Sequence, residues 1–217
     1  MEASEYSINT EFKLTPKEET MIRLGLDRMK NSEDPEHGLD HLSRMFEMED
    51  EFANHPLNSK FMRKINRSTV QLSIAWHDTW KSRREPAIKG IKIFLDEIAE
   101  GLGSMFLFST EAQKVGLDPI VTKDAMYAIR KHSVFNLLPR FSLDSQLLYD
   151  LDVLEMYDPL RYISKMKALK YGKPTIEGLA NRLISHRDYV GFYFDWTKNK
   201  FEENKKIFLT KLQKHDI

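Results

Sequence analysis

The chain has 217 residues, 41% hydrophobic and 30% charged, which is enough apolar material for a sizeable core and too much for a disordered chain. Its 33 basic residues balance its 33 acidic ones, so nothing in the charge points to a nucleic-acid partner, and none is expected. With no cysteine, disulfide scaffolds, thiolate metal sites and cysteine nucleophiles are excluded, which leaves histidine and carboxylate as the metal-binding chemistry.

The first residues, Met1 to Leu14, are polar and acidic and lack the apolar segment of a signal peptide. The longest apolar patch, Met105 to Phe108, falls far short of the roughly 18 residues of a membrane span, so a cytoplasmic protein without a membrane partner is expected. Thr15-Pro16-Lys17-Glu18 predicts a helix start, with a capping hydroxyl, a proline in the first turn and acids beside the helix dipole. Met21, Ile22, Leu24 and Met29 continue it at near-helical spacing, and Asn31 to Pro35 ends it. A second helix is predicted from Leu39 to Phe52, with Leu42, Met45, Phe46 and Met48 facing inward. A third runs from about Phe61 to Trp80 on Ile65, Val70, Leu72, Ile74, Ala75 and Trp76.

Ala87 to Leu102 forms a fourth helix, with Ile88, Ile91, Phe94, Leu95 and Ile98 on one face. Beyond Gly103, Asp118-Pro119 opens another through Ala125, Ile129 and Lys131. Ser142 to Tyr149 follows the break at Pro139, and an acidic stretch from Asp150 to Asp158 closes at Pro159. Two more helical segments are expected, Ile176 to Tyr189 and Trp196 to Leu212. The last is lysine-rich, with a stripe of Phe201, Ile207, Phe208 and Leu212 and a solvated charged face. There is no internal repeat and no strand alternation. The expected architecture is an all-α bundle, one domain over residues 1–217, with a motif-bearing core at about 35–160 and a C-terminal helical extension at about 161–217.

The residues able to carry chemistry gather in a few places. His37 and His41 open the second helix, His77-Asp78 ends an apolar run, His132 follows the Ala125 to Lys131 segment, and Asp150 and Asp152 lie in Leu-Tyr-Asp-Leu-Asp-Val-Leu-Glu. Adjacent side chains on a helix project about 100° apart, so His77 and Asp78 can grip one ion only if it lies between them. The apolar lead-in from Leu72 to Trp76 predicts burial, and a buried aspartate is costly unless paired or metal-bound. Helix capping by Asp78, or an ion pair with Lys81 or Arg84, is the alternative.

The order His41, His77-Asp78, Asp152 resembles the H…HD…D signature of the HD-domain superfamily of metal-dependent phosphohydrolases. His-Gly-Leu-Asp-His-Leu-Ser-Arg-Met resembles the family's first histidine helix, with a histidine four residues before the ligand and an arginine three after. Leu-Ser-Ile-Ala-Trp-His-Asp resembles its run into the HD pair, and Ala-Ile-Arg-Lys-His-Ser with Leu-Tyr-Asp-Leu-Asp-Val-Leu-Glu resembles its later segments.

The resemblance implies an HD-type helical bundle holding one divalent ion per chain (Mn, Mg, Co, Ni, Fe or Zn) on His41, His77, Asp78 and Asp152. It implies hydrolysis of a phosphate ester or anhydride of a small molecule, a nucleotide being the expected substrate, by a metal-activated water. Asp150 should point away from Asp152 on a helix. His132 is expected near the phosphate or leaving group, and His37 behind a ligand or the substrate. Arg44 shares the face of His41, and Arg44 or Lys81 is the expected phosphate contact, with Arg83 a solvated charge.

Asp78, His132, Lys81 and Arg44 are therefore the expected catalytic group. His55, His186 and His215 read as surface residues. One departure stands out. Where many single-metal relatives place an acid three or four residues after the HD pair, this chain has Lys81 and Ser82, and its first acid is Glu85. The leaving group's proton donor is unassigned. The alternative readings are a non-catalytic metal-binding or regulatory module, and a non-hydrolytic enzyme needing a second iron and more histidines. A homodimer contact through the C-terminal helices is left open.

Overall fold

The computed structural model describes residues 12–30, 32, 38–83, 91–132, 139–156, 178 and 191–213. His37, Arg84, Glu85, His186, His215 and the helix expected from Ile176 to Tyr189 lie outside the described residues, as do the side chains of Arg83, Ile88, Ile91, Phe94, Leu95, Ile98, Phe208 and Leu212. Among the described residues the chain is all-helical, without strands. Its α-helices are α1 (Pro16–Met29), α2 (Leu39–Asn54), α3 (Ser59–Met62), α4 (Arg67–Trp76), α5 (Ile91–Val115), α6 (Pro119–Lys131), α7 (Leu143–Met156) and α8 (Asp195–Gln213). None of them is long and apolar enough to cross a membrane.

Local chemistry starts these helices where the sequence places the starts. Thr15 accepts from the Glu18 backbone while the Glu18 carboxylate accepts from the Thr15 backbone, a closed capping box with Pro16 in the first turn. Asp118 accepts from Ile120 and Val121 and starts α6 in the same way.

The organising element is α4, which packs against α1, α2, α5, α6 and α7. It is buried nearly all round, with Arg67 and Gln71 its exceptions, and its small polar residues Ser68, Thr69 and Ser73 lie in the interior with the apolar ones. Val70 and Ile74 join one core cluster with Leu42, Met45, Phe52, Leu147 and Leu151. Leu72, Ala75 and Trp76 join another with Met21, Phe108, Ala125 and Ile129. Arg67 makes a two-pronged pair with the buried Glu49 carboxylate, Gln71 donates to the same group, and the Ser73 hydroxyl donates to Thr69 O.

The helix expected from Phe61 to Trp80 is broken at both ends. Asn66 adopts an extended backbone, its side chain accepts from Thr69 and its own N–H donates to Asp144, so the chain restarts as α4 there. At the far end, α4 stops at Trp76. The next residues form turns in which Thr79 N–H bonds Trp76 O and Lys81 N–H bonds Asp78 O. Ser104 Oγ on α5 accepts from the Trp80 backbone and anchors this loop.

Expected to end at Leu102, α5 instead runs on to Val115. Its glycines mark close approach. A Cβ at Gly103 would stand 2.1 Å from the Trp80 ring, and one at Gly101 2.8 Å from the Arg130 carbonyl on α6. Similarly α7 continues past Tyr149 to Met156.

Buried within α7, Asp150 accepts from the backbones of Tyr193 and Phe194 and from the Thr197 hydroxyl, and so ties the start of α8 to the bundle. Phe194, Trp196 and Phe201 then pack into the first cluster, with Phe52 edge-on to both Phe194 and Trp196. Asp150→Ala removes a charged acceptor from three donors. It should lower unfolding stability in urea by about 3 kcal/mol.

Candidate metal centre

Five helices bring their polar residues to one buried point. His41 lies in the first turn of α2, His77 caps the end of α4, Asp78 follows in the turn, His132 caps the end of α6, and Asp152 lies on α7. Glu155, one turn beyond Asp152, and Glu100, from α5, complete the group. All are buried except Asp152, which is 13% exposed.

Each imidazole is oriented by its Nδ1. His77 Nδ1–H donates to Ile74 O at 2.9 Å and His132 Nδ1–H to Ile129 O at 2.6 Å. Both acceptors are last-turn carbonyls, which a helix end leaves without a partner in the helix. His41 Nδ1–H donates to Glu155 Oε2 at 2.7 Å. With Nδ1 committed in all three rings, Nε2 faces the cluster, the arrangement that a carboxylate or carbonyl imposes on metal-binding histidines.

The inward atoms lie close together. His41 Nε2 is 3.2 Å from His77 Nε2, 3.3 Å from Asp78 Oδ2 and 3.5 Å from Asp152 Oδ1. His77 Nε2 is 3.1 Å from Asp78 Oδ2 and 3.8 Å from Asp152 Oδ1. Adjacent donors around an octahedral ion with bonds of about 2.1 Å stand about 3 Å apart. His41, His77 and Asp152 each offer one ligand atom within 4.8 Å of the others and could hold one divalent ion, with Asp78 Oδ2 lying against both imidazole nitrogens. The donor set suits Mn, Fe, Co, Ni or Zn, with the carboxylates also admitting Mg.

A second group adjoins the first. Asp78 Oδ1 is 3.6 Å from His132 Nε2, which is 3.9 Å from Glu100 Oε2. Lys81 Nζ stands 3.0 Å from Glu100 Oε1. On the opposite flank Arg44 Nε donates to Glu155 Oε1 at 2.8 Å, so Glu155 holds His41 with one oxygen and Arg44 with the other. Arg44 is 38% exposed, against 13% for Asp152.

The electrostatics are those of a site awaiting positive charge. Burial alone lowers the His77 pKa, but the charges of Asp78 and Asp152 and the hydrogen bonds to them outweigh it and lift it well above its ordinary value. Burial raises the Asp152 carboxyl, yet the hydrogen bond from His77 and its charge bring it below the carboxylate range despite Asp78 nearby. His132 is pushed down to about 4, by burial first and by the neighbouring His77 cation second. One protonated imidazole between two carboxylates therefore occupies the electrostatic role a metal ion fills.

His41, His77, Asp78 and Asp152, expected as ligands, are thus brought together, and Asp150 points away to its α8 contacts. His132 is 2% exposed and faces Asp78. Lys81 reaches the cluster through Glu100, and Arg44 through Glu155. His55, half-buried, accepts from Leu57 N–H far from the cluster.

Two carboxylates were not assigned from sequence. Glu155 carries a signal, one helical turn after Asp152. Glu100 carries none; only the packing of α5 against α6 brings it to His132. Comparison of the chain with family models, curated proteins and solved structures returns no match in any of the three.

The raised His77 pKa has a measurable consequence. A divalent ion must displace the proton held on His77 at neutral pH, so Mn²⁺ binding should release about one proton, and affinity should rise about tenfold per pH unit below that pKa. Calorimetry in buffers of different protonation enthalpy reads this directly. In the metal-free protein the His77 cation stabilises the fold fully below its ordinary pKa, and that contribution is lost as pH rises through the elevated folded value.

Proposed function

We propose that this chain is a divalent-metal-dependent phosphohydrolase acting on a phosphate ester or anhydride of a small molecule, with a nucleotide as the substrate class. The observation carrying this reading is the meeting of His41, His77, Asp78 and Asp152 donor atoms in one buried space, with two cationic side chains held against it. A divalent ion held there supplies an activated water and a Lewis acid for a phosphoryl oxygen.

The chain's own residues do the rest. His41 and His77 donate neutral nitrogens, and Asp78 and Asp152 balance the ion's charge. Arg44, held by Glu155 and partly exposed, presents a guanidinium whose planar geometry suits phosphate oxygens. Lys81 provides a second positive charge on the His132 side. The buried histidines exclude bulk water, so each of these charges acts through a low effective dielectric. Arg44, Lys81 and the ion together select a substrate of two or more negative charges, which supports a phosphate group and leaves the rest of the molecule unspecified.

The chelator-stripped protein should be inactive against aryl phosphates and a nucleotide panel, and Mn²⁺ should restore activity. Asp78→Ala should lose bound metal and at least about 10³-fold in turnover while retaining its helical circular dichroism. Full activity in that variant, or no hydrolysis of any phosphate ester by a metal-replete protein, would overturn the proposal. Arg44→Gln should raise KM about tenfold with metal content unchanged, the loss of one charge-assisted phosphate contact.

A further inference from the structure

We propose that the end of α6 carries a phosphate-binding site, separate from the metal centre, with Lys131 as its contact residue and Arg130 and Arg140 adding positive charge. It goes beyond the hydrolase reading and does not depend on it. Three features of the chain lead to it.

The first is a lysine without a counter-charge. Lys131 is 7% exposed, and among the described residues its ammonium has no hydrogen bond and no carboxylate partner. Lysines are almost never buried this far unless paired. The stem is buried, and the ammonium itself lies close to the surface, where an ion can reach it. Burial first, and then the charges of Arg130 and Arg140, lower its pKa, and no described carboxylate raises it. The fold holds this cation at a cost that an arriving anion offsets.

The second is that the helix end does not account for it. Basic residues are common in a last turn, where they meet free carbonyls and the negative end of the dipole. Here the carbonyls of Ile129, Lys131 and His132 are already taken. Arg140 Nε donates to Lys131 O at 2.7 Å and Arg140 Nη2 to His132 O at 3.3 Å, while His132 Nδ1–H donates to Ile129 O. The Lys131 charge is surplus to the cap.

The third is that the neighbouring charge is fixed. Arg140 is buried, its guanidinium lies 3.7 Å over the Tyr149 ring, and Gln146 Nε2 donates to Arg140 O. Held by a ring face and two carbonyls, it keeps its charge next to Lys131 instead of turning it out to water. Arg130, one residue earlier, is exposed. Three positive charges at one helix end favour an anion of two charges over chloride or a single carboxylate. Phosphate oxygens suit both ammonium and guanidinium donors.

Lys131 directly precedes His132, which keeps helical backbone angles, and adjacent helical side chains project about 100° apart. The site therefore adjoins the metal cluster and faces away from it. Two sources of phosphate fit that position, a second phosphate on a substrate held at the metal, or free phosphate.

The test is calorimetry of inorganic phosphate with the chelator-stripped full chain at constant chloride, where the metal cluster is rich in carboxylates and repels an anion. One phosphate per chain is expected. Lys131→Met keeps the buried stem, removes the charge, and should weaken phosphate at least about tenfold. Lys131→Arg should bind within about threefold of the wild type. Without phosphate, Lys131→Met should unfold at a higher urea concentration than the wild type, a shift that a lysine kept for stability would reverse. Arg130→Gln, at an exposed position, is the second variant should Lys131→Met fail to fold, and should weaken phosphate about threefold, the loss of one screened charge. Arg44→Gln should leave binding unchanged.

Hydrolysis with Mn²⁺ separates the two sources. A KM that Lys131→Met raises for a nucleoside diphosphate and not for a monophosphate assigns the site to the substrate. Unchanged KM values for both, or a chain with no hydrolase activity, assign it to free phosphate and leave the calorimetric result standing. No phosphate binding by the wild-type chain, or binding that survives both Lys131→Met and Arg130→Gln, overturns the proposal. Binding lost in Arg44→Gln and kept in Lys131→Met overturns it equally.

Discussion

Asp78 and Asp152 are drawn by packing into one largely dry space, and their mutual repulsion has to be met by positive charge. In the metal-free chain the proton on His77 meets it, which is why that imidazole holds its proton so firmly and Asp152 holds its own so weakly. The outer charges follow the same logic. Glu155 is buried against His41 and Arg44, and Glu100 against Lys81, so each added carboxylate brings its own cation. A centre arranged this way gains little by closing more tightly on itself and much by admitting a cation.

The centre is built on α4. Because both sides of that helix are committed to core clusters, its C-terminal end cannot drift, and the end is where His77 sits. The chain leaves the helix through turns, which frees Asp78 from the 100° constraint that adjacent helical residues face. Its carboxylate can therefore lie against His77 and still reach His132. The close fit of Trp80 over Gly103 and the Ser104 hydroxyl bond hold the loop down on α5. The α6 terminus repeats the device, with a final histidine donating Nδ1–H to a last-turn carbonyl and turning Nε2 inward. Last-turn carbonyls, Ile74 O and Ile129 O, serve here as orienting groups for imidazoles.

Much of the bundle was legible in the sequence because its signals are local. Capping residues sit next to the backbone they satisfy, as Thr15 and Asp118 do, and apolar spacing such as Val70, Leu72, Ile74, Ala75 and Trp76 reports burial directly. The errors came where a local signal has two physical meanings. Gly103 read as lying past the end of α5, yet it is inside that helix and lets Trp80 approach. Asn66 in an otherwise helical run is a cap that restarts the helix, a choice made by its contact with Asp144 on α7.

For the site, the sequence by itself determined which residue types could hold a metal, and the order of the candidates came from a resemblance. With no cysteine, histidines and aspartates flanked by apolar helix are the residues that can bind a metal, and helical periodicity separates Asp152 from Asp150. The tertiary structure alone decided what surrounds them. Glu100 joins His132 only because α5 packs against α6, and Asp78 splits its oxygens only because α4 ends before it. No short-range pattern can encode either fact, since each depends on where one helix stops relative to another. Charge balance in a buried space is a property of all the helices at once.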